Sequence, residues 1–405
     1  MKKPPMRVPI ALGASALILL ALCAPAFASG FQLNETSASG LGNAFAGGAA
    51  AAEDTSTLWS NVAGMSRLRD GQLAGAVHLI TPSLKFRNDG SLPAAGQVLG
   101  GNGSDAGGLN VAPNLYVVQP INATVSVGIG LNAPWGLVTE YDQGWTGRFQ
   151  AIKSSIKTYN LNPGVSWKAA DQLSLGLGLN VQHIEAEFTN QVNYSAALLS
   201  AAAAKGIAPG SAVFNAIGAG TAGLESAARI QGNDNAAGWN AGLLWELDDK
   251  HRIGVHYRSS IKYRISGDAQ FANPAPAVAS PLAPTVAALA TGVNTLALFN
   301  SGVSAAVKLP AIFNLSYFGA LNEHWDLMAD AQWTRWSSIR DLTFVRSNGA
   351  LLQSTPENFR NTVKLAVGAN YRQNDNWMWR GGLAFDQSPV RTASRTPRLP
   401  NGDRT

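Results

Sequence analysis

A strict two-residue alternation is the feature that most constrains how this chain can fold. In the stretch Gln172–His183, every second residue is apolar, and the residues between are polar or very small. The apolar set is Leu173, Leu175, Leu177, Leu179 and Val181, and the other set is Ser174, Gly176, Gly178, Asn180 and Gln182. Because successive side chains of a β-strand point to opposite faces, the pattern predicts a strand with one apolar and one polar face.

The alternation recurs to the end of the chain and predicts an all-β protein. We place roughly eleven strands, at residues 70–82, 108–119, 123–133, 148–168, 172–190, 231–247, 252–267, 306–320, 324–345, 359–372 and 377–390. Short polar turns and long loops alternate between them. This alternation of connection lengths is typical of antiparallel transmembrane barrels in bacterial outer membranes.

Aromatic residues lie beside the short turns, where the wall of such a barrel crosses the membrane–water interface. They are Trp167, Trp245, Trp325, Tyr371, Trp377 and Trp379. The alternative is a soluble β-sandwich, in which the same aromatics would fill the core. The length of the strands, their repetition and the position of the aromatics favour the transmembrane barrel.

The composition agrees with a membrane barrel and argues against other classes. Hydrophobic residues make up 46% of the chain and charged residues only 14%, which is low for a soluble surface. No basic cluster with interleaved aromatics indicates a nucleic-acid site. The five histidines lack metal-ligand spacing, and no phosphate loop or local Ser–His pair is evident. We therefore expect no metal, no cofactor and no catalysis.

The chain divides into three segments. Residues 1–28 have a basic start, an apolar stretch and the small-residue site Ala26-Phe27-Ala28, which predict a signal peptide and export to the outer membrane. Residues 29–68, here called the hatch, are rich in Gly and Ala and have no sustained periodicity. We interpret the hatch as a plug inside the barrel formed by residues 69–405. The alternative is a disordered N-terminus.

The hatch resembles a known family. Gly30–Glu35 (GFQLNE), Ser39–Gly42 (SGLG) and Ala52–Asp54 (AED) are similar to the N-terminal hatch of the FadL/TodX outer-membrane transporters. The family's Asn-Pro-Ala signature falls at Asn61–Ala63, with Val62 in place of Pro. This departure loosens the turn, because Pro would fix φ. The resemblance continues through the whole chain.

The resemblance implies uptake of long-chain fatty acids or related hydrophobic molecules. It implies capture by the two largest extracellular loops, at residues 195–229 and 272–305, which we expect to form an exposed apolar surface. It also implies passage through a plugged barrel of about fourteen strands. The alternatives are an aromatic-hydrocarbon channel of the same family, a general small-solute porin, and a structural or adhesive barrel without a ligand.

Four candidate transport residues lie in the hatch and the third predicted strand. Phe31 and Asn61 belong to the hatch motifs that match the family. Gly128 and Gly130 fall on the inward face of Thr124–Asn132, where two glycines would leave the wall thin or make room for the plug. The resemblance implies an inward kink in this strand and a lateral exit for the substrate.

A carboxylate substrate would favour a buried basic partner. The fatty-acid members use basic residues, but two of those positions are neutral here, at Asn190 and Thr355. Arg148, Lys153 and Arg380 are the main candidates to replace them. Lys157 and Lys364 are further candidates. The alternative, a solvated charge of the rim or lumen, is the more common role of such residues, because barrel interiors are polar.

An odd number of strands leaves one strand edge unpaired, whereas bacterial barrels have even numbers. We therefore predict that about three strands are missing and that the chain is truncated. The final stretch, RTPRLPNGDR, resembles the family's last large connection. The expected partners are the outer-membrane bilayer and hydrophobic small molecules such as fatty acids or hydrocarbons, with no nucleic acid, and we expect a monomer.

Overall fold

One antiparallel sheet forms the wall of the molecule. The computed structural model describes residues 30–279 and 281–400, so the predicted signal peptide lies outside the described residues. The strands are β1 (Gln72–Ile80), β2 (Asn110–Pro120), β3 (Val125–Asn132), β4 (Gly136–Glu140), β5 (Lys153–Ala170), β6 (Leu173–Asn193), β7 (Glu225–Glu246), β8 (His251–Arg258), β9 (Ile261–Ala272), β10 (Ser301–Leu309), β11 (Ile312–Ala320), β12 (Trp325–Thr334), β13 (Asp341–Arg346), β14 (Leu351–Pro356), β15 (Thr362–Asn374) and β16 (Trp377–Asp386).

The wall follows the order of the chain. Its continuous path is β1-β2-β3-β5-β6-β7-β8-β11-β12-β15-β16, and the remaining strands extend this path at the end of the molecule that carries the long loops. We call this the loop end and the opposite end the turn end. β1 and β16 are the two ends of the path. The expected truncation stays a prediction.

Burial confirms the predicted alternation. On β6, Leu175, Leu177 and Leu179 are exposed on the outer face, whereas Ser174 and Asn180 are buried on the inner face. Each strand of the continuous path corresponds to a predicted strand. The apolar outer face and polar inner face are those of a transmembrane barrel. No helix within the described ranges is long and apolar enough to cross a bilayer.

Three of the predicted strands are each divided into two strands in the structure, so their prediction as single strands was wrong. The ranges 252–267, 306–320 and 324–345 each contain two strands. The second range breaks at Pro310, which has no N–H to donate to a neighbouring strand. The third breaks at a short 3₁₀ turn, Trp336–Ser338. The breaks let the loop-end strands pair with new neighbours, so that β9 pairs with β7 and β10 rather than continuing beside β11.

The hatch lies inside the wall and is built from short helices. They are α1 (Ala38–Gly42), α2 (Gly48–Ala51) and α3 (Thr57–Ser60), followed by a 3₁₀ segment, Val62–Arg67. Ser37 caps α1 by accepting a hydrogen bond from the amide of Gly40. Most hatch residues are buried or half-buried, so the segment is folded rather than an extended tail.

The two longest loops pack against each other. They carry α4 (Tyr194–Ala204), α5 (Ala212–Gly220) and α6 (Ala283–Leu296). Their apolar side chains form a common core, with Tyr194, Leu198, Ile217, Val286 and Val293 buried. Among the larger apolar side chains of these helices, Val213 and Leu296 are exposed. The expectation of a broad exposed apolar surface is therefore wrong, because each loop covers the apolar face of the other.

Aromatic side chains mark the turn end. Trp167, Trp245, Trp325, Trp377 and Trp379 are all exposed on the outer face. Trp325 packs beside Tyr371 on the neighbouring strand, with ring centroids 4.8 Å apart. Such rings place an apolar body in lipid and a polar edge in the interface, which is the girdle predicted from the sequence.

Candidate substrate-binding site

Glycines on the inner face let the hatch press against the wall. A Cβ atom at Gly242 would lie 1.9 Å from the Oδ1 atom of Asn61, and one at Gly254 would lie 1.9 Å from the carbonyl oxygen of Ala49. Neither position can carry a side chain unless the hatch moves. The small inward residues predicted on several strands therefore make room for the hatch at the turn end.

Asn61 ties the hatch to the wall and is fully buried. Its amide nitrogen donates to the carbonyl of Ala49 at 2.7 Å and to the carbonyl of Leu243 on β7 at 3.0 Å. Its Oδ1 atom accepts from the amide of Ala63 at 3.1 Å, which caps the 3₁₀ segment. The side chain thus links two parts of the hatch with β7, although Val62 replaces the family's Pro.

Basic side chains of the wall hold carbonyl groups of the hatch. Arg252 donates to the carbonyls of Ala50 and Ala51 at 2.6 and 2.5 Å. Arg258 donates to the carbonyl of Trp59 at 2.8 Å. These contacts satisfy backbone acceptors that short helices leave without partners.

The wall is interrupted where β3 ends. β3 pairs with β2 only as far as Leu115, and β4 pairs with β5 alone, so β2 and β4 diverge beyond Ala133–Trp135. The start of the hatch covers this edge. The amide of Leu33 donates to the carbonyl of Pro134 at 2.9 Å, and the amide of Gly136 donates to the carbonyl of Phe31 at 2.9 Å.

Gly128 and Gly130 lie before this interruption and face the hatch. A Cβ atom at Gly128 would lie 2.8 Å from the Sδ atom of Met65 in the hatch. One at Gly130 would lie 2.7 Å from the ring of Tyr116 in the wall and 3.3 Å from the Cδ2 atom of Leu58 in the hatch. The two glycines therefore lie in the packed contact with the hatch. The interruption of the wall begins several residues later, and a lateral exit at the two glycines stays a prediction.

An apolar cavity of about 430 Å³ lies between the hatch and the outer loops. Strands β5–β7, β9, β10 and β13 contribute inward-facing side chains to it. Representative lining residues are Phe31, Ile184, Phe188, Tyr263, Leu309 and Phe344. Phe31 is the hatch residue of the cavity, and its ring contacts Trp135 and Trp336 edge-on, with centroids 5.8 and 5.0 Å away.

Arg398 and Glu357 are the buried charged residues among those that line this largely apolar cavity. The other charged lining residues are half-buried or exposed: Lys262, Arg264, Lys308, Arg340 and Asp341. Arg398 Nη2 donates to the carbonyl of Gln150 at 3.3 Å, whereas its Nη1 atom has no hydrogen-bond partner. The guanidinium lies 5.2 Å from the ring centroid of Phe188. Burial lowers the pKa of Arg398, an effect that Glu357 partly offsets. Burial raises the pKa of Glu357, and Arg398 partly offsets that shift.

The sequence did not identify Arg398. It lies in the stretch RTPRLPNGDR, which we read only as a connection. One signal was present: a lone arginine and a leucine between Pro397 and Pro400 form a stiff, partly apolar segment that cannot join a sheet. Nothing local indicates that this segment folds back into the lumen beside Gln150.

The predicted carboxylate partners are already engaged. Arg148 is buried and pairs with Glu225 at 2.7 Å. Lys153 pairs with Glu187 at 2.7 Å. Arg380 pairs with Glu53 of the hatch at 2.9 Å and also donates to the carbonyl of Ser39. Lys364 donates to Asn34 at 3.0 Å. The structure thus gives Arg148 and Lys153 loop-end partners in the wall, and Arg380 and Lys364 partners in the hatch.

The fold and this cavity define the class: a β-barrel whose lumen holds an N-terminal hatch and, above it, an apolar cavity. The sequence profile of the family "Outer membrane protein transport protein (OMPP1/FadL/TodX)" matches residues 19–405. The protein therefore belongs to this family of outer-membrane transporters, and it resides in the outer membrane.

Individual relatives support this family assignment. The chain is 29% identical over 401 residues to the long-chain fatty acid transport protein of Escherichia coli strain K12, covering 96% of this chain and 85% of the relative. It is 31% identical over 392 residues to the 47 kDa outer membrane protein of Pasteurella multocida strain Pm70, covering 97% and 85%. A solved Pseudomonas aeruginosa FadL homologue superposes with a TM-score of 0.75 at 28% identity, covering 92% and 84%. The Ralstonia pickettii toluene transporter TbuX shares the fold, with a TM-score of 0.58 at 21% identity and 84% of each chain covered.

Proposed function

We propose that the protein takes up long-chain fatty acids across the outer membrane and binds them in the apolar cavity, with the carboxylate at Arg398. One observation carries the proposal: Arg398, which lines a largely apolar cavity, has a buried guanidinium nitrogen without a hydrogen-bond partner. A cation in such surroundings is costly unless it is paired. A ligand with one carboxylate and a long apolar chain satisfies both parts of the cavity.

The energetics favour an amphiphile over a small hydrocarbon. Each methylene transferred from water into an apolar site contributes about 0.8 kcal/mol, so a long chain gains more than a single ring. A charge-assisted hydrogen bond from a guanidinium to a carboxylate is among the strong ones in proteins. Toluene would leave Arg398 unpaired. We therefore favour the fatty acid over the aromatic hydrocarbon.

We further propose that the substrate leaves sideways through the interruption at Ala133–Trp135. The hatch residues that cover this edge, Phe31–Leu33, include the ring that lines the cavity. Movement of this one segment would join the cavity to the gap between β2 and β4. The substrate would then enter lipid rather than the aqueous periplasm, which its methylenes favour.

A general porin is the other functional class, and the seated hatch argues against it, since porins keep an open aqueous channel. We infer that the protein acts without catalysis, as a monomer and without nucleic acid. The described residues contain no group of three acidic, His or Cys side chains suited to a metal ion.

Equilibrium binding to detergent-purified protein tests the proposal. Oleate, oleyl alcohol and toluene are compared on the wild type, on Arg398→Met and on the matched control Arg395→Met, which alters an exposed arginine of the same segment. Arg398→Met should weaken oleate binding about ten-fold or more, which is the effect of losing one charge-assisted hydrogen bond. It should leave the affinity for oleyl alcohol unchanged. Tight toluene binding with no effect of Arg398→Met on oleate would favour the hydrocarbon channel instead.

A further inference from the structure

A second polar cluster lies between the cavity and the hatch. Asn162, Asn180 and Asn240 face inward from β5, β6 and β7, and all three are fully buried. Asn162 Oδ1, Asn180 Nδ2 and both polar side-chain atoms of Asn240 lack hydrogen-bond partners. Buried amides are normally satisfied, so several orphaned atoms in one place indicate that the site takes up a polar group.

Arg258 supplies the charge of this cluster. It is 4% exposed, and it lies directly opposite Asn240 in the pairing of β7 with β8. Its Nη1 atom donates to Asn180 Oδ1, and its guanidinium lies 3.4 Å from the ring centroid of Trp59 in the hatch. Within the described part of the chain, Arg258 takes part in no ion pair.

The other buried arginine that holds the hatch has a different setting. Arg252 also donates to hatch carbonyls and likewise makes no ion pair among the described residues, but the carboxylates of Glu246 and Glu53, which pair with Arg67 and Arg380, act on it electrostatically. Arg252 therefore lies in the field of carboxylates that the protein supplies. In the part of the chain that the structure describes, no carboxylate acts on Arg258 in this way.

A continuous chain of hydrogen bonds joins the cluster to the cavity. Tyr263, which lines the cavity, donates its hydroxyl to Gln182 Oε1 at 2.7 Å. Gln182 donates to Asn160 at 3.4 Å, and Asn160 donates to Asn180 Oδ1 at 3.4 Å. These hydrogen bonds connect the lining of the cavity with Arg258, which donates to the same Asn180 Oδ1 atom.

We propose that Arg258, Asn180 and Asn240 form a second carboxylate site, deeper than Arg398, for the head group of the same substrate. The proposal rests on the proposed function, because the site is buried and hydrogen bonds link it to the lining of the cavity. The free Nδ2 atoms of Asn180 and Asn240 donate to the carboxylate, and Arg258 neutralises it. The apolar chain stays in the cavity above.

Occupancy of this site has a consequence for the hatch. Arg258 Nη2 now donates to the carbonyl of Trp59 in α3. A carboxylate competes with that carbonyl for the same guanidinium, and a charged acceptor is preferred over a neutral one. The deep site therefore loosens the contact between α3 and the wall when the substrate arrives.

Carbon-13 NMR with oleate labelled at the carboxyl carbon tests the proposal on the full-length protein in detergent. We expect two bound carboxyl resonances. Arg398→Met should weaken one resonance, and Arg258→Met should weaken the other, here called the deep resonance. In each case the oleate concentration for half-saturation of the affected resonance should rise about ten-fold or more. Arg252→Met is the matched control, and it should retain both resonances. If Arg258→Met fails to insert, Asn180→Leu, which keeps the cation and its contact with Trp59, should shift or remove the deep resonance.

The outcomes separate the two proposals. A single resonance that responds to Arg398→Met and ignores both Arg258→Met and Asn180→Leu overturns the deep site and leaves the proposed function intact. The absence of any bound oleate resonance overturns the proposed function as well. Loss of the deep resonance in Arg252→Met to the same extent as in Arg258→Met also contradicts the proposal, because it would reflect the seating of the hatch rather than a site.

Discussion

The two ends of the lumen are built from the same alternating strands but are filled differently. At the turn end the inward positions carry glycine, serine and asparagine, and the hatch packs directly on the backbone at Gly242 and Gly254. At the loop end the inward positions of the same or neighbouring strands are large and apolar, such as Ile184 and Ile265, and they enclose a cavity. The size of the inward residue therefore decides whether the lumen is filled by the protein itself or left for a ligand.

The basic side chains at the two ends of the lumen also differ in their partners. Near the hatch, the basic side chains Arg252, Arg380 and Lys364 donate to hatch groups and hold it in place. In the cavity, Arg398 keeps a nitrogen without a partner. Arg252, Arg380 and Lys364 thus stabilise the hatch, whereas Arg398 in the cavity is open to a ligand.

The largest effect should come from removing the space that the turn end leaves for the hatch. In Gly242→Leu, the new Cβ atom would clash with Asn61 Oδ1, so the hatch cannot seat. We expect a barrel that still inserts but conducts ions, because its lumen is no longer plugged. Single-channel conductance in planar bilayers measures this, together with protease cleavage within residues 31–68.

The matched control is Gly381→Leu on β16, where a Cβ atom meets nothing within 4 Å. It should stay closed and resistant to protease. Equal conductance from Gly242→Leu, Gly381→Leu and the wild type would show that the hatch does not seal the lumen.

A smaller effect is expected from Asn61→Ala. The change removes two donated hydrogen bonds and one cap, and it leaves buried backbone groups unsatisfied at a cost of about 1–3 kcal/mol. Labelled oleate uptake should fall several-fold, while heat-modifiable protein still appears in the outer membrane. Normal uptake would mean that Asn61 is only a turn residue and that the other wall contacts suffice.

The smallest effect concerns the cavity. Glu357→Gln removes a negative charge near Arg398, so oleate should bind about two- to five-fold tighter at pH 7. Burial raises the pKa of Glu357, so this carboxyl is neutralised at a higher pH than an ordinary glutamate as the pH falls. The ratio of the two affinities should therefore fall toward one as the pH is lowered. A ratio that grows on acidification would contradict this role.

The sequence predicted the parts of the structure that depend on local pattern. The alternation on β6 correctly assigned Leu177 to lipid and Asn180 to the lumen, because a strand fixes the direction of each side chain. The hatch was predicted from its composition and its resemblance. The breaks near Ser259 and Pro310 were missed, since alternation continues across them.

Side-chain partners could not be predicted in this way. The sequence indicated Arg148 and Lys153 as possible substrate partners because it does not show their ion pairs. Their glutamates, Glu225 and Glu187, lie far along the chain or on another strand. The sequence did not indicate Arg398 as a substrate partner, because this residue reaches the cavity only when the segment RTPRLPNGDR folds back into the lumen. Whether a charge is paired is a property of the tertiary structure.

One measurement tests the account most directly: uptake through a barrel whose hatch is locked to the wall interruption. Gln32 and Trp135 form an isolated antiparallel pair without mutual hydrogen bonds, the geometry in which Cα atoms lie about 4.5 Å apart and a disulfide fits. In Gln32→Cys/Trp135→Cys, oxidation should abolish labelled oleate uptake while oleate still binds in the cavity, and a reductant should restore uptake. The two single cysteine variants should be insensitive to oxidation. Full uptake with the disulfide formed would contradict passage through this opening.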